Sequence, residues 1–134
     1  MMMSPADEGL TRPLLVVIPA SAADATVHLP SAYLRPIMGR PHLGHLLDAV
    51  LAVAPEGVLL FVHGADDTAM AGVRALMPHK ASVTADSGDS AAFIGRMLGH
   101  LSGHPGDILF IPATAAPLSG DFLSDFIDDY RRNP

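Results

Sequence analysis

Short apolar runs alternate along this chain with stretches in which apolar residues recur every three or four positions. Leu14 to Ile18, Val58 to Val62 and Ile108 to Ile111 are continuous apolar runs, the form taken by parallel strands covered on both faces. Ser82 to Thr84 is shorter and more polar, which places it at a sheet edge. Between the runs, Leu43, Leu46, Leu47, Val50 and Leu51 share one helical face, as do Met70, Val73 and Met77, and then Phe93, Ile94, Met97, Leu98 and Leu101. A last helix presents Phe122, Leu123, Phe126, Ile127 and Tyr130, and all these stripes are expected in the core. Its start is marked by Pro117 and Ser119, and Asp121 suits the positive end of the helix dipole. Consecutive βα units of this kind predict an α/β domain of Rossmann-like, three-layer form, a parallel sheet of about four strands with flanking helices.

The opening stretch, Met1 to Pro13, is polar and carries Pro and Gly, so it reads as a disordered tail ahead of one domain over 14–134. A loop of about twenty residues, Pro19 to Pro41, follows the first strand, and a loop that long inside a small domain needs a functional reason. Ligands of open parallel sheets bind beyond the carboxyl ends of the strands. That rule gathers this loop, the His63 to Asp67 turn, Ala85 to Ser90 and Pro112 to Ser119 around one crevice.

Composition narrows the partners. The 134 residues fit a single core. Hydrophobic residues make up 49% and charged ones 16%, with no apolar run near the ~18 residues a membrane span requires. A formal charge of −6 with only 8 Lys+Arg leaves no basic patch for nucleic acid or for an anionic membrane. There is no cysteine, so disulfides and thiol chemistry are excluded. An acidic rather than basic N-terminus lacks the form of a signal sequence, and a cytoplasmic location is expected.

Three segments, PSAYLRPIMGRPHLGHLLDAV, VLLFVHGADD and DILFIPATAAPLS, together resemble the nucleotidyltransferase family of nucleotide-diphospho-sugar transferase fold. The likeness is nearest to methylerythritol-phosphate cytidylyltransferases and more distant to the uridylyltransferase domain of the GlcNAc-1-phosphate enzyme. It runs from about Leu14 to Tyr130. Pro30, Tyr33 and Leu34, then Gly39, Arg40, Pro41, Leu43, His45 and Asp48, echo the family's Pro-Lys-x-Tyr-Leu and Gly-Arg/Lys-Pro-x-x-x-His stretch, with one extra residue between. The resemblance implies the fold, and an ancestry among enzymes that join a nucleoside triphosphate to a phosphorylated sugar or alcohol with help from Mg²⁺.

The family's chemistry is poorly matched. Its Gly-rich loop begins Ala-Ala-Gly, whereas this chain reads Ala20, Ser21, Ala22, Ala23, Asp24, Ala25, Thr26. From Pro19 to Met38 there is no glycine, no lysine and one arginine, Arg35, although a phosphate cradle needs open backbone amides and a cation. The family's lysine falls on Ser31, and its His-Asp-Ala-Ala-Arg-Pro run falls on Pro112, Ala113, Thr114, Ala115, Ala116, Pro117. Loss of a single catalytic arginine from a phosphoryl-transfer site costs about 10³ to 10⁵ in rate, and several groups are missing together. The chain is also short against the family, so the strands that complete the acceptor site have no expected counterpart. What the resemblance leaves as a nucleotide-binding set is Ala20, Ser21, Ala22, Gly88 and Ser90, with no catalytic residue and no metal ligand assigned. Ser90 has two readings of equal weight: recognition of a base, or the cap of the third helix.

Seven histidines in an acidic chain invite a metal reading, with His42 and His45 sharing a helix face and His28 or His63 as a third ligand. A structural role is the stronger one, since His45 matches a structural position of the family. His79, His100 and His104 fall near expected helix ends, where surface capping is ordinary. Asp66 and Asp67 precede the second helix and suit its cap better than a Mg²⁺ site. No Gly-x-Ser-x-Gly elbow accompanies any serine, so nucleophilic catalysis has no support.

The expected function is therefore a degenerate nucleotidyltransferase-like domain, without a cofactor, that binds a ligand or a protein partner. The competing expectation is a minimal, divergent nucleotidyltransferase using Mg²⁺. A third is structural: a sheet edge left uncovered would pair with a second copy.

Overall fold

The computed structural model describes residues 12–21, 32–115 and 118–133. Apolar residues on alternate positions of the first strand, β1 (Leu14–Ser21), face two different helical layers, which is why Val16, Val17 and Ile18 are all fully buried. Five further strands follow: β2 (Pro36–Ile37), β3 (Arg40–Pro41), β4 (Gly57–His63), β5 (Ala81–Asp86) and β6 (Asp107–Phe110). The helices are α1 (His42–Leu51), α2 (Asp67–Ala75), α3 (Phe93–His100) and α4 (Gly120–Arg132). The main sheet is wholly parallel with strand order β5-β4-β1-β6, so β5 stands at an edge as its polar sequence predicts. The Rossmann-like α/β architecture expected from the pattern is the one observed.

Two cores lie on opposite faces of this sheet. The larger joins Val16, Ile18 and Ala20 to Tyr33, to Leu43, Leu46, Leu47 and Val50 of α1, to Met70 and Val73 of α2, and to Leu123 and Ile127 of α4. The smaller joins Val17 and Phe61 to Phe93, Met97 and Leu101 from α3 and its end.

Several expectations are corrected. β6 is the second edge strand and not a doubly covered one, and Phe110 is 41% exposed. On α3, Ile94 and Leu98 stay half-exposed, and on α4 so do Phe122, Phe126 and Tyr130. Only Leu123 and Ile127 of the last stripe reach the core, because among the described residues no strand lies beyond β6 for the outer half of the stripe to cover.

The segment read as one long loop is partly regular. β1 runs on through Ser21, so Ala20 and Ser21 are strand residues. Pro19 is tolerated in this central strand because its missing N–H points to the side where β6 has already given way to Ile111–Ala113; there its carbonyl still accepts from Ala113. After residues 22–31, which lie outside the described residues, come a 3₁₀ turn at Ala32–Leu34 and the β2–β3 hairpin. The hairpin closes through Met38 (φ 52°) and Gly39 (φ 81°), the pair of positive φ angles that a two-residue type I′ turn needs.

Two residues read as the end of the tail are tied to the sheet. The Pro13 carbonyl accepts from the Asp107 amide, and the Arg12 carbonyl accepts from the Arg131 guanidinium at 2.7 Å.

Candidate functional site

The parallel register sets the site. Ser21, the last residue of β1, lies beside His63, the last of β4, and His63 lies beside Asp86, the last of β5. In-register residues of neighbouring strands point to the same face. Here that is the face of the smaller core, covered by α3. The row sits at the carboxyl ends of the strands, where the crevice is expected.

His63 is the one charged or polar residue among the buried described residues. Its Nδ1–H donates to Asp86 Oδ2 at 2.6 Å, and its ring packs at 5.2 Å from that of Phe93. From α3, Arg96 donates Nε–H to Asp86 Oδ1 at 2.7 Å and an Nη2 proton to Oδ2 at 2.8 Å. The same Nη2 donates to the Asp89 carbonyl at 2.9 Å. A carboxylate accepting from a two-pronged guanidinium and from an imidazole is strongly favoured in its charged form. The Arg96 hydrogen bonds, more than the His63 one, hold Asp86 down at a pKa of about 2 against an ordinary 3.8, and burial works in the opposite direction. The Arg96 guanidinium is correspondingly raised by Asp86.

Gly88 and Ser90 follow this cluster. Gly88 has φ +109°, a conformation that favours glycine, and its position faces the Arg96 guanidinium. Ser90 opens an exposed 3₁₀ turn, but the cap belongs to Asp89, whose side chain accepts from the Ala91 amide at 3.0 Å. Neither residue caps the third helix, α3, whose N-cap is Ala92 with no side-chain hydrogen bond, so the capping reading of Ser90 is corrected. Ala20 is buried and Ser21 half-buried at the end of β1; Ala22, like Asp24, His28, Pro30 and Ser31, lies outside the described residues.

A second hollow, of about 460 Å³, opens between the β2–β3 hairpin, α1 and the approach to α4. His42 donates an Nε2 proton to the Ala115 carbonyl at 2.7 Å and His45 donates one to the Ile37 carbonyl at 2.6 Å. Both imidazoles therefore staple backbone segments to α1, and the nitrogen each uses is not open to a metal. Among the described residues no group of three or more His, Cys, Asp or Glu is placed to hold an ion. Arg40 of the hairpin pairs with Asp48 of α1, which draws the Asp48 carboxyl below its usual range. Arg35 is exposed just before α1, and its carbonyl accepts from the His42 amide.

The remaining candidates have structural places. Asp66 caps α2 by accepting from the Ala69 amide at 2.8 Å, and Asp67 occupies the first turn. His79 and His100 are exposed, His100 with its ring edge-on to Phe61. His104 is not a surface cap: its Nε2 is buried and finds no partner among the described residues, as does the Tyr33 hydroxyl. The His63–Asp86–Arg96 cluster was not legible as a unit in the sequence. Its one signal was that an apolar strand and the next, polar strand both end on a titratable residue.

No protein-family model matches the chain, and no curated protein matches it in sequence. Solved structures do match in shape. Rv0371c from Mycobacterium tuberculosis H37Rv superposes with TM-score 0.70 at 18% identity, over 90% of this chain and 61% of that one. The 4-diphosphocytidyl-2C-methyl-D-erythritol synthase from Anaerococcus prevotii gives 0.68 at 16% identity, over 98% and 55%. A CMP:2-keto-3-deoxy-manno-octonic acid synthetase complexed with CTP gives 0.65 at 22% identity, over 91% and 48%. The chain has the cytidylyltransferase fold, and it spans about half to three-fifths of the length of these proteins.

Proposed function

We propose that this chain is a cytidylyltransferase-like domain that no longer transfers nucleotides and serves instead to bind a ligand or a protein partner. The observation that carries this reading is the closed charge balance at the sheet's mouth. Arg96, the cation nearest the ends of β4 and β5, spends both prongs on Asp86, and its remaining reach goes to the Asp89 carbonyl. Asp86, the acid there, is already engaged by two donors. A triphosphate carries several negative charges and needs cations or open amides to face them. Arg40 is likewise paired with Asp48, which leaves exposed Arg35 as the unpaired described arginine beside the start of α1. Ala20, Ser21, Ala22, Gly88 and Ser90 remain the residues that would touch a nucleotide if one binds.

A divergent transferase is the second reading. It is favoured by the likeness to a synthetase solved with CTP and by an Rv0371c structure described as a complex with manganese, TM-score 0.65. Calorimetric titration with CTP, UTP and GTP in the presence of Mg²⁺ separates the two. The proposal expects no Mg²⁺-dependent heat at millimolar nucleotide; tight, metal-dependent binding accompanied by pyrophosphate release would overturn it.

A further inference from the structure

The hollow beside the β2–β3 hairpin lies across the sheet from the His63 cluster. Helix α1 covers the larger core, whereas Ser21, His63 and Asp86 share the face of the smaller one, so what the crevice binds does not decide what the hollow binds. Its volume of about 460 Å³ falls within the roughly 300 to 1,000 Å³ that takes a small molecule. The walls are apolar: Ile37 and Met38 of the hairpin, Leu46 and Ala49 of α1, and Leu118 ahead of α4. One end is shut where α4 starts against the end of α1, so closely that a β-carbon on Gly120 would lie 2.6 Å from that of Ala52.

The polar side chains of the hollow offer acceptors and a negative charge. His42, His45 and Asp48 recur every third residue and lie along one side of α1. A carbonyl has no proton to give, so the Nε2 of each ring carries the hydrogen it donates to Ala115 or to Ile37, and the Nδ1 of the neutral ring is left as a lone pair. Among the described residues neither Nδ1 has a hydrogen-bond partner, and neither is a buried orphan as His104 Nε2 is, so solvent reaches both. Asp48 accepts from Arg40 through Oδ2, which leaves Oδ1 open, and the same contact favours the charged carboxylate. No lysine or arginine is among the described residues that line the hollow.

We propose that this hollow binds an apolar organic amine, its hydrocarbon body between the hairpin and α1 and its ammonium group at Asp48 and the two imidazoles. An ammonium brings N–H donors and a positive charge, which the open Nδ1 atoms and the Asp48 carboxylate answer. An anionic ligand would bring only more acceptors to a rim whose described side chains have no free donor, and Asp48 would repel it. Met38 stands exposed at the hairpin tip, and its flexible thioether adapts to the shape of the ligand's apolar part.

Amide NMR titrations near neutral pH test it with three probes that share one apolar body: 2-phenylethylamine, 2-phenylethanol and phenylacetate. The amine is expected to give saturable shifts at millimolar concentration, centred on Met38, Ala49 and Gly120. The alcohol is expected to bind about 10-fold more weakly, as the loss of a charged hydrogen bond implies, and phenylacetate not to saturate. Asp48 and Met38 are both exposed, and substitution there leaves the remaining amide spectrum in place. Asp48→Asn is expected to weaken the amine about 10-fold and to leave the alcohol unchanged. Met38→Asn is expected to weaken both about two- to threefold, through lost apolar contact. Absence of saturable shifts with the amine would overturn the proposal. So would equal affinity for amine and alcohol, saturable binding of phenylacetate as tight as that of the amine, or an Asp48→Asn effect shared equally by amine and alcohol.

Discussion

His63 and Asp86 are neighbours across the register of β4 and β5, joined by a 2.6 Å hydrogen bond at the carboxyl edge of the sheet. The bond holds the edge strand β5 to the rest of the sheet at the point where backbone pairing stops. Arg96 completes it from α3, so one carboxylate ties two strands and a helix together. A polar cluster that is fully engaged in this way orients its members, and each becomes costly to remove.

The first prediction concerns acid. Asp86 is lowered to about 2 in the fold, from an ordinary 3.8, chiefly by Arg96. Its charged form is the one the fold favours, so its contribution to stability is complete above the unfolded pKa and is lost as the pH falls toward the folded one. Thermal melts are expected to lose Tm between about pH 4 and pH 2. Asp86→Asn is expected to be less stable at pH 7 and to show a flatter decline across that window. An unchanged slope in the variant would assign the acid sensitivity to other groups.

Gly106 supplies a second test. A β-carbon there would lie 2.0 Å from the Pro13 carbonyl oxygen, the same oxygen that accepts the Asp107 amide to start the β1–β6 pairing. Backbone cannot yield as a flexible side chain does. Gly106→Ala is therefore expected to cost about 3 kcal/mol in urea unfolding. A loss below ~1 kcal/mol would mean that the strand starts separate freely.

Much of this frame was legible before the structure. Continuous runs at Leu14–Ile18 and Val58–Val62 have the form of strands buried on both faces, and the polar Ser82–Thr84 segment belonged at an edge. The outer halves of the last two helical stripes were not legible. Phe122 and Phe126 follow the same period as Leu123 and Ile127, and periodicity alone does not say where the sheet ends. The site was legible in place and not in content: strand ends locate the crevice, but the pairing of His63 with Asp86 depends on register across two strands. Nothing local in the sequence fixes that register. Arg96 enters from a helix ten residues further on, as one charge on an otherwise apolar amphipathic segment.

The hairpin offers a gain instead of a loss. Met38 is 94% exposed and held at φ 52°, a conformation that asparagine accepts far more readily than methionine. Met38→Asn, next to Gly39, is expected to stabilise the protein by about 0.5 to 1 kcal/mol, read as a higher urea midpoint at constant slope. A lower midpoint would indicate that the Met38 side chain has a packing partner.

Helix α2 gives a local comparison. Asp66 accepts from the Ala69 amide, and truncation to alanine is expected to cost about 1 kcal/mol. The same change at Asp67, which caps nothing, is expected to cost about half of that or less, through the dipole alone. Equal costs would move the cap to Asp67.

The charge balance of the crevice is tested most directly by diffraction from crystals soaked with CTP and Mg²⁺. The account predicts that Arg96 stays on Asp86 and that neither triphosphate nor metal is ordered beside Ser21, His63 and Gly88. Ordered nucleotide and metal there, with Arg96 swung from Asp86 onto the phosphates, would contradict it.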